Sequence, residues 1–281
     1  MKQQICRTLK SGKSEEAGAQ QQACRPFFES ELTKRMCGGI LLSTSMLGGE
    51  MMDIALHYIE QGEGCPILLL HGNGGRCTYF KRQLSHFATQ YHVIALDTRA
   101  HGHSPRGSKP FTISQCADDL RNFMREKGIR AAHVLGFSDG GNIALTFAVR
   151  YPEMLRSMVV CGANFTPDGL KPYFMLPVKF VYAVSRFFSN VFYKAKATAE
   201  RFALMVYEPR ITPQQLQNIS APTLVIAGTH DIVKKAHTEL LAHSLPHGEL
   251  AYIPGGHSLP KLHPKRFNAL VERFLQKCGQ C

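Results

Sequence analysis

Acidic residues are scarce in this 281-residue chain: 21 Asp and Glu stand against 33 Lys and Arg, a formal net charge of +12. Charge of any kind is modest, 19% of residues against 44% hydrophobic, which excludes a disordered, collagenous or coiled-coil chain. The sequence also lacks a detachable basic tail. Residues 1–50 hold seven basic and five acidic side chains, so +10 of the excess belongs to residues 51–281. Nucleic acid is therefore not expected as a partner. A basic body still suits an anionic substrate or an anionic membrane surface. The length favours one large domain, or one domain carrying an inserted subdomain.

Other absences narrow the class further. Residues 1–35 contain no apolar segment, and residues 40–42, continued weakly to Leu47, are too short to span a bilayer and too late for a secretory signal. The nine cysteines are odd in number and mostly isolated. Cys278 and Cys281 form a C-x-x-C away from any strand-to-helix turn that would lower a thiol pKa. Gly279 and Gln280 between them are not aliphatic, as a prenylation signal requires. Scattered, unpaired cysteines fit a reducing compartment, so a cytoplasmic location is expected. Gly12, Lys13 and Ser14 imitate the end of a phosphate loop, but Arg7 stands where its first Gly belongs. There is no internal repeat.

What is present starts near Met52. Residues 1–50 are Gln-rich, show no sustained period, and read as a poorly ordered extension. Ile54, Leu56 and Tyr58 alternate as in a half-buried strand, and residues 66–71 form a short apolar run suited to a strand buried on both faces. Strands are then expected at 91–96, 131–136, 156–162, 223–228 and 249–253. Helices are expected at 78–89, 113–126, 141–150, 236–245 and 264–277, with Asp118 and Asp119 of the second facing away from Leu120, Phe123 and Met124. This alternation predicts an α/β fold with a doubly wound, mostly parallel sheet. Residues 51–162 and 221–281 make its core, and residues 163–220, where the rhythm breaks, make a short helical cap.

The strongest chemical signal is Gly136-Phe137-Ser138-Asp139-Gly140-Gly141, set between an apolar strand and an amphipathic helix. A nucleophile on so sharp a strand-to-helix turn needs small neighbours, which Gly136, Gly140 and Gly141 supply. The bland alternative is a helix start with Ser138 as N-cap. A serine nucleophile also needs a base, and the base an orienting acid, in the chain order Ser, acid, His. Asp231 follows one buried strand and His257 the next, so both reach the sheet edge where ligands bind. Asp168 is the reserve acid, and His71, His101, His103 and His230 are competing bases. The glycine-rich turn after residue 70 would supply one oxyanion donor, the N–H of Asn73 with Gly74 next to it, and the N–H of Asp139 the other.

These residues resemble the α/β-hydrolase family over about residues 52–277, most nearly its small bacterial short-cap esterases and enol-lactonases. Residues 97–104 look like that family's D-x-R-G-x-G-x-S turn, with Ala100 in place of the usual Gly and only a slightly altered turn expected. The resemblance implies structural roles for Asp97 and Arg99, and a Ser138–His257–Asp231 mechanism without cofactor or metal. Ser138 argues against the epoxide hydrolases and dehalogenases of this fold, which carry Asp there.

Residues 170–193 hold eight of the chain's 26 Phe and Tyr. Phe174 and Phe180, with Phe137 and Gly74, are the expected substrate contacts. Lys179, Arg186 and Lys194 would share one helical face about 80° wide. The expected arrangement packs the aromatics on the body and leaves the basic face in water. Adsorption of that face to a membrane is the weaker alternative. The sequence thus reads as a serine hydrolase for a small ester-type substrate. Carbon–carbon bond hydrolysis with the same triad, and a non-catalytic binding protein on the scaffold, are the alternatives.

Overall fold

The computed structural model describes residues 46–47 and 50–279. The expectation of a poorly ordered extension falls, for residues 1–45, outside them. Two short strands, β1 (Met46–Leu47) and β2 (Glu50–Met51), pair antiparallel. The main sheet has seven strands: β3 (Tyr58–Gln61), β4 (Cys65–Leu70), β5 (Tyr91–Leu96), β6 (Ala132–Phe137), β7 (Leu155–Cys161), β8 (Thr223–Gly228) and β9 (Gly248–Ile253). They lie in the order β3-β5-β4-β6-β7-β8-β9, with β3 antiparallel to β5 and every other pair parallel. The order reverses at β4, which has β5 on one side and β6 on the other. That reversal opens a crevice at the carboxyl ends of β4 and β6.

The unbroken apolar run of β4 follows from its place. Leu68 and Leu70 enter one core with α2 (Ile113–Glu126) and α3 (Asp139–Arg150), while Ile67 and Leu69 enter the other with α1 (Lys81–Phe87). Both faces of the sheet are therefore dry, as parallel strands require. Helices α4 (Pro172–Phe187) and α5 (Tyr193–Tyr207), between β7 and β8 in the chain, pack on each other. The short α6 (Pro213–Gln217) packs instead on α3 and on α7 (Lys235–Ser244) of the body. Helices α8 (Leu259–Leu262) and α9 (Pro264–Lys277) close the chain. Among the described residues no helix is long and apolar enough to cross a membrane.

Several local expectations change. The first strand of the main sheet starts at Tyr58 rather than near Ile54. Asp53, just before it, is drawn inward to accept from Arg99 Nη1 at 2.6 Å. Asp119 does not face solvent: the fully buried Arg99 donates to both its carboxylate oxygens, at 2.7 and 2.6 Å. A buried guanidinium must have its counter-charge at hand, and this overrides the helical pattern. Asp97 accepts from His57 Nδ1 and from the N–H groups of Cys77 and His103. Ala100 takes a left-handed φ of 58°, the backbone of the missing glycine. The cysteines are not uniformly unpaired: Cys77, Cys116, Cys161 and Cys278 are free, but Cys65 is disulfide-bonded.

Candidate active site

β6 passes into α3 through the single residue Ser138, at φ 53° and ψ −122°. Such a backbone costs on the order of 1–3 kcal/mol for a non-glycine residue, and three bonds hold it. Ser138 N–H donates to Cys161 O at 2.8 Å, and its own carbonyl accepts from Gly141 at 2.8 Å and Asn142 at 3.0 Å. The turn closes because its neighbours are bare. A Cβ on Gly136 would collide with the carbonyl oxygen of Gly140, and one on Gly140 with that of Leu70. The Ser138 side chain makes no helix-capping bond, so the N-cap alternative fails.

Its hydroxyl instead donates to His257 Nε2 at 3.0 Å, and His257 Nδ1–H donates to Asp231 Oδ1 at 2.7 Å. Asp231 arrives from the loop after β8 and His257 from the loop after β9. Burial pushes the Asp231 carboxyl up. The bond and charge of His257 and the N–H groups of Val233 and Gly228 outweigh this and hold it below the usual range. An ionised carboxylate only accepts, so the imidazole proton belongs on Nδ1 and Nε2 is left to take one.

The rival residues lie elsewhere. His71 donates from Nδ1 to Gly72 O and accepts at Nε2 from Thr98 N–H, while His101 Nδ1 sits 2.9 Å from Arg99 O. His103 stands edge-on to His57, and His230 Nδ1 sits 3.0 Å from Thr229 Oγ1. Asp168 lines a separate cavity beside Lys179 and Arg210.

Asn73 and Asp139 meet directly. Asn73 Nδ2 donates to Asp139 Oδ2 at 2.8 Å and to Arg201 O of α5 at 2.9 Å. Asp139 is the first residue of α3, so its N–H has no acceptor within the helix. Burial raises its carboxyl pKa more than the Asn73 bond and the His257 charge lower it.

A cavity of about 330 Å³ adjoins Ser138, lined by Asn73, Gly74, Phe137 and Phe174 as expected, and also by Tyr79, Leu170, Met205 and Ile232. Phe137 stacks on Tyr79 at 4.8 Å and leans on His257 at 4.9 Å. Phe180 is not in this lining; it is 71% exposed on the outer side of α4. The expected single basic face does not form either, because α4 ends at Phe187 and Lys194 belongs to α5. One helix face cannot bury eight aromatics, so several point outward.

Sequence reasoning missed Gly162 and Asn164. Both follow the carboxyl end of β7, and that position was the available signal. His57, Cys77 and Asp97 bring ligand-type atoms within 4.8 Å of one another. Burial and the Asp97 carboxylate push the Cys77 thiol up to about 11, so it stays protonated and is a poor metal ligand.

The sheet, its switch-point crevice and the sharp strand-to-helix turn at Ser138, a nucleophile elbow in form, point to one enzyme class. Residues 66–203 match the family described as alpha/beta hydrolase fold. The chain is 30% identical to serine hydrolase BPHL of Mus musculus over 79% of this chain and 84% of that protein. It is 26% identical to 3-oxoadipate enol-lactonase 2 of Acinetobacter baylyi, over 80% and 94%. A solved thermophilic esterase from Thermogutta terrifontis superposes with a TM-score of 0.68 at 24% identity, covering 84% of this chain and 97% of its own. The chain belongs to the alpha/beta hydrolase fold family and is a hydrolase.

Proposed function

We propose that the protein cleaves a small carboxylic ester, or a related acyl bond, through an acyl-enzyme on Ser138. The observation that carries this reading is the continuous relay from Ser138 Oγ through His257 to the ionised Asp231. Ser138 Oγ bonds to the acyl carbon while His257 Nε2 takes its proton. The N–H groups of Asn73 and Asp139 then receive the oxyanion. The tetrahedral adduct collapses by breaking the bond to the leaving alcohol, which departs with the proton from Nε2. Water repeats the sequence in reverse, breaking the ester to Ser138 and releasing the acid.

The lining supports a short, neutral acyl group. A cavity of about 330 Å³ is at the low end for ligand sites, roughly 300–1,000 Å³. Among the described residues its lining holds no Lys or Arg to pair with a substrate carboxylate. The names of the relatives, a serine hydrolase and an enol-lactonase, agree with acyl chemistry.

The test is labelling by a fluorophosphonate, with p-nitrophenyl esters of graded chain length as substrates. Wild type should label once and prefer short esters. Ser138→Ala should lose the label and up to about 10⁶ in kcat. Label on another residue would refute the assignment.

A further inference from the structure

We propose that the outer face of the cap is a docking surface for an anionic lipid bilayer. Tyr173, Leu176, Phe180, Phe187, Val191 and Tyr193 are each between 62% and 80% exposed. Four of them, with Val184, fall within about 80° of arc on α4 at 100° per residue. They form a stripe on the helix rather than scattered apolar residues. The opposite side of the same helix is already used: Met175 and Val178 are buried with Leu170 and Val233, and Phe174 reaches the cavity beside Ser138. So α4 is apolar on both sides, and only one side has a partner within the described residues.

Charge identifies the occupant. Residues 170–199 contain Lys171, Lys179, Arg186, Lys194 and Lys196 and no Asp or Glu. Lys179 and Arg186 lie roughly 100–120° to one side of the centre of the stripe, about 60–80° beyond its edge. A flexible cation on an apolar stem in that position reaches lipid headgroups while its methylenes stay with the rings. Bulky apolar residues exposed on one face with cations at its flank are features of a helix that lies in the membrane interface. A second copy of this chain would bring five like charges against five, within a molecule already at +12. An anionic bilayer answers both the rings and the cations.

Vesicle co-sedimentation of the full chain tests this, using phosphatidylcholine alone and an equal mixture with phosphatidylglycerol. Binding should require phosphatidylglycerol and weaken as salt rises. Replacing Lys179, Arg186 and Lys194 together by Gln should reduce partitioning about 100-fold. Phe187→Ser with Val191→Ser should reduce it about tenfold or more. Both variants should keep wild-type melting and p-nitrophenyl acetate turnover, which establishes that they fold. No binding to the mixed vesicles, or binding that neither variant changes, would overturn the proposal. So would sedimentation equilibrium showing a wild-type dimer that the Phe187 and Val191 changes dissociate, since that result gives the face to a second copy.

Discussion

Gly162 stands against the ring of His257: a Cβ at residue 162 would lie 2.7 Å from Cε1 and 2.8 Å from Nδ1. Its φ of 62° also favours glycine. Gly162→Ala must therefore displace the imidazole or the loop after β7. A shift of about 1 Å in a catalytic group can cost on the order of 10²-fold. The expected outcome is a fall in kcat of that order with KM nearly unchanged, measured on p-nitrophenyl acetate. Undiminished turnover would mean that the ring has room to retreat.

The two acids should separate cleanly. Asp231→Asn should cost on the order of 10⁴ in kcat, because the amide favours the wrong imidazole tautomer. Asp168→Asn, at a different cavity, should cost less than about tenfold by the same comparison. Steady-state kinetics of the two proteins is the check, and a reversal of their order would reassign the acid.

Ala100 carries strain that the family's usual glycine avoids. A left-handed backbone costs an L-residue about 1–2 kcal/mol, whereas glycine adds about 0.4–1 kcal/mol of unfolded-state freedom. Ala100→Gly should therefore stabilise the fold by about 0.5–1 kcal/mol on that balance, with kcat unaltered. Urea unfolding measures it. A loss of stability would show that the Ala100 methyl packs well enough to repay its strain.

Acid should destabilise the protein through buried histidines. Burial holds His101, His133 and His237 near 4, against an ordinary 6.5, and lowers His71 as well. Between those values the unfolded chain binds more protons than the folded one, so stability falls as pH drops. The contribution is complete above 6.5 and gone once pH passes below the folded values. At a limit of about 1.4 kcal/mol per group per pH unit, urea melts should lose several kcal/mol between pH 7 and pH 5. A flat profile over that range would contradict the buried, neutral state of these rings.

The sheet is readable because its inner strands are dry on both faces, and a dry strand announces itself as an apolar run. The elbow was readable because strain on Ser138 demands bare neighbours in adjacent positions. Asp119 misled because helical periodicity carries no information about a buried cation twenty residues away. Phe180 misled because composition counts aromatics without saying which side of a helix they occupy. Gly162 and Asn164 had only their place after β7 to mark them, because their partners, His257 and Asn142, are close in space and distant in sequence.

Helices α4 and α5 are held to the rest of the molecule in unlike ways. α5 is tied at Arg201 O to Asn73 and by a two-pronged pair from Arg106 to Glu200, and Glu208 just beyond it accepts from Ile113 N–H. Among the described residues, no hydrogen bond or ion pair joins an α4 side chain to the body, which that helix meets through apolar contact and through the backbone at Leu170 and Lys171. The two helices thus differ in stiffness. Sliding α4 exchanges one greasy contact for another, whereas lifting α5 severs directional bonds and tugs on the loop holding Asn73. The mouth of the cavity is thus bordered by one helix held through packing, which carries Phe174, and by one held through directional bonds to Asn73.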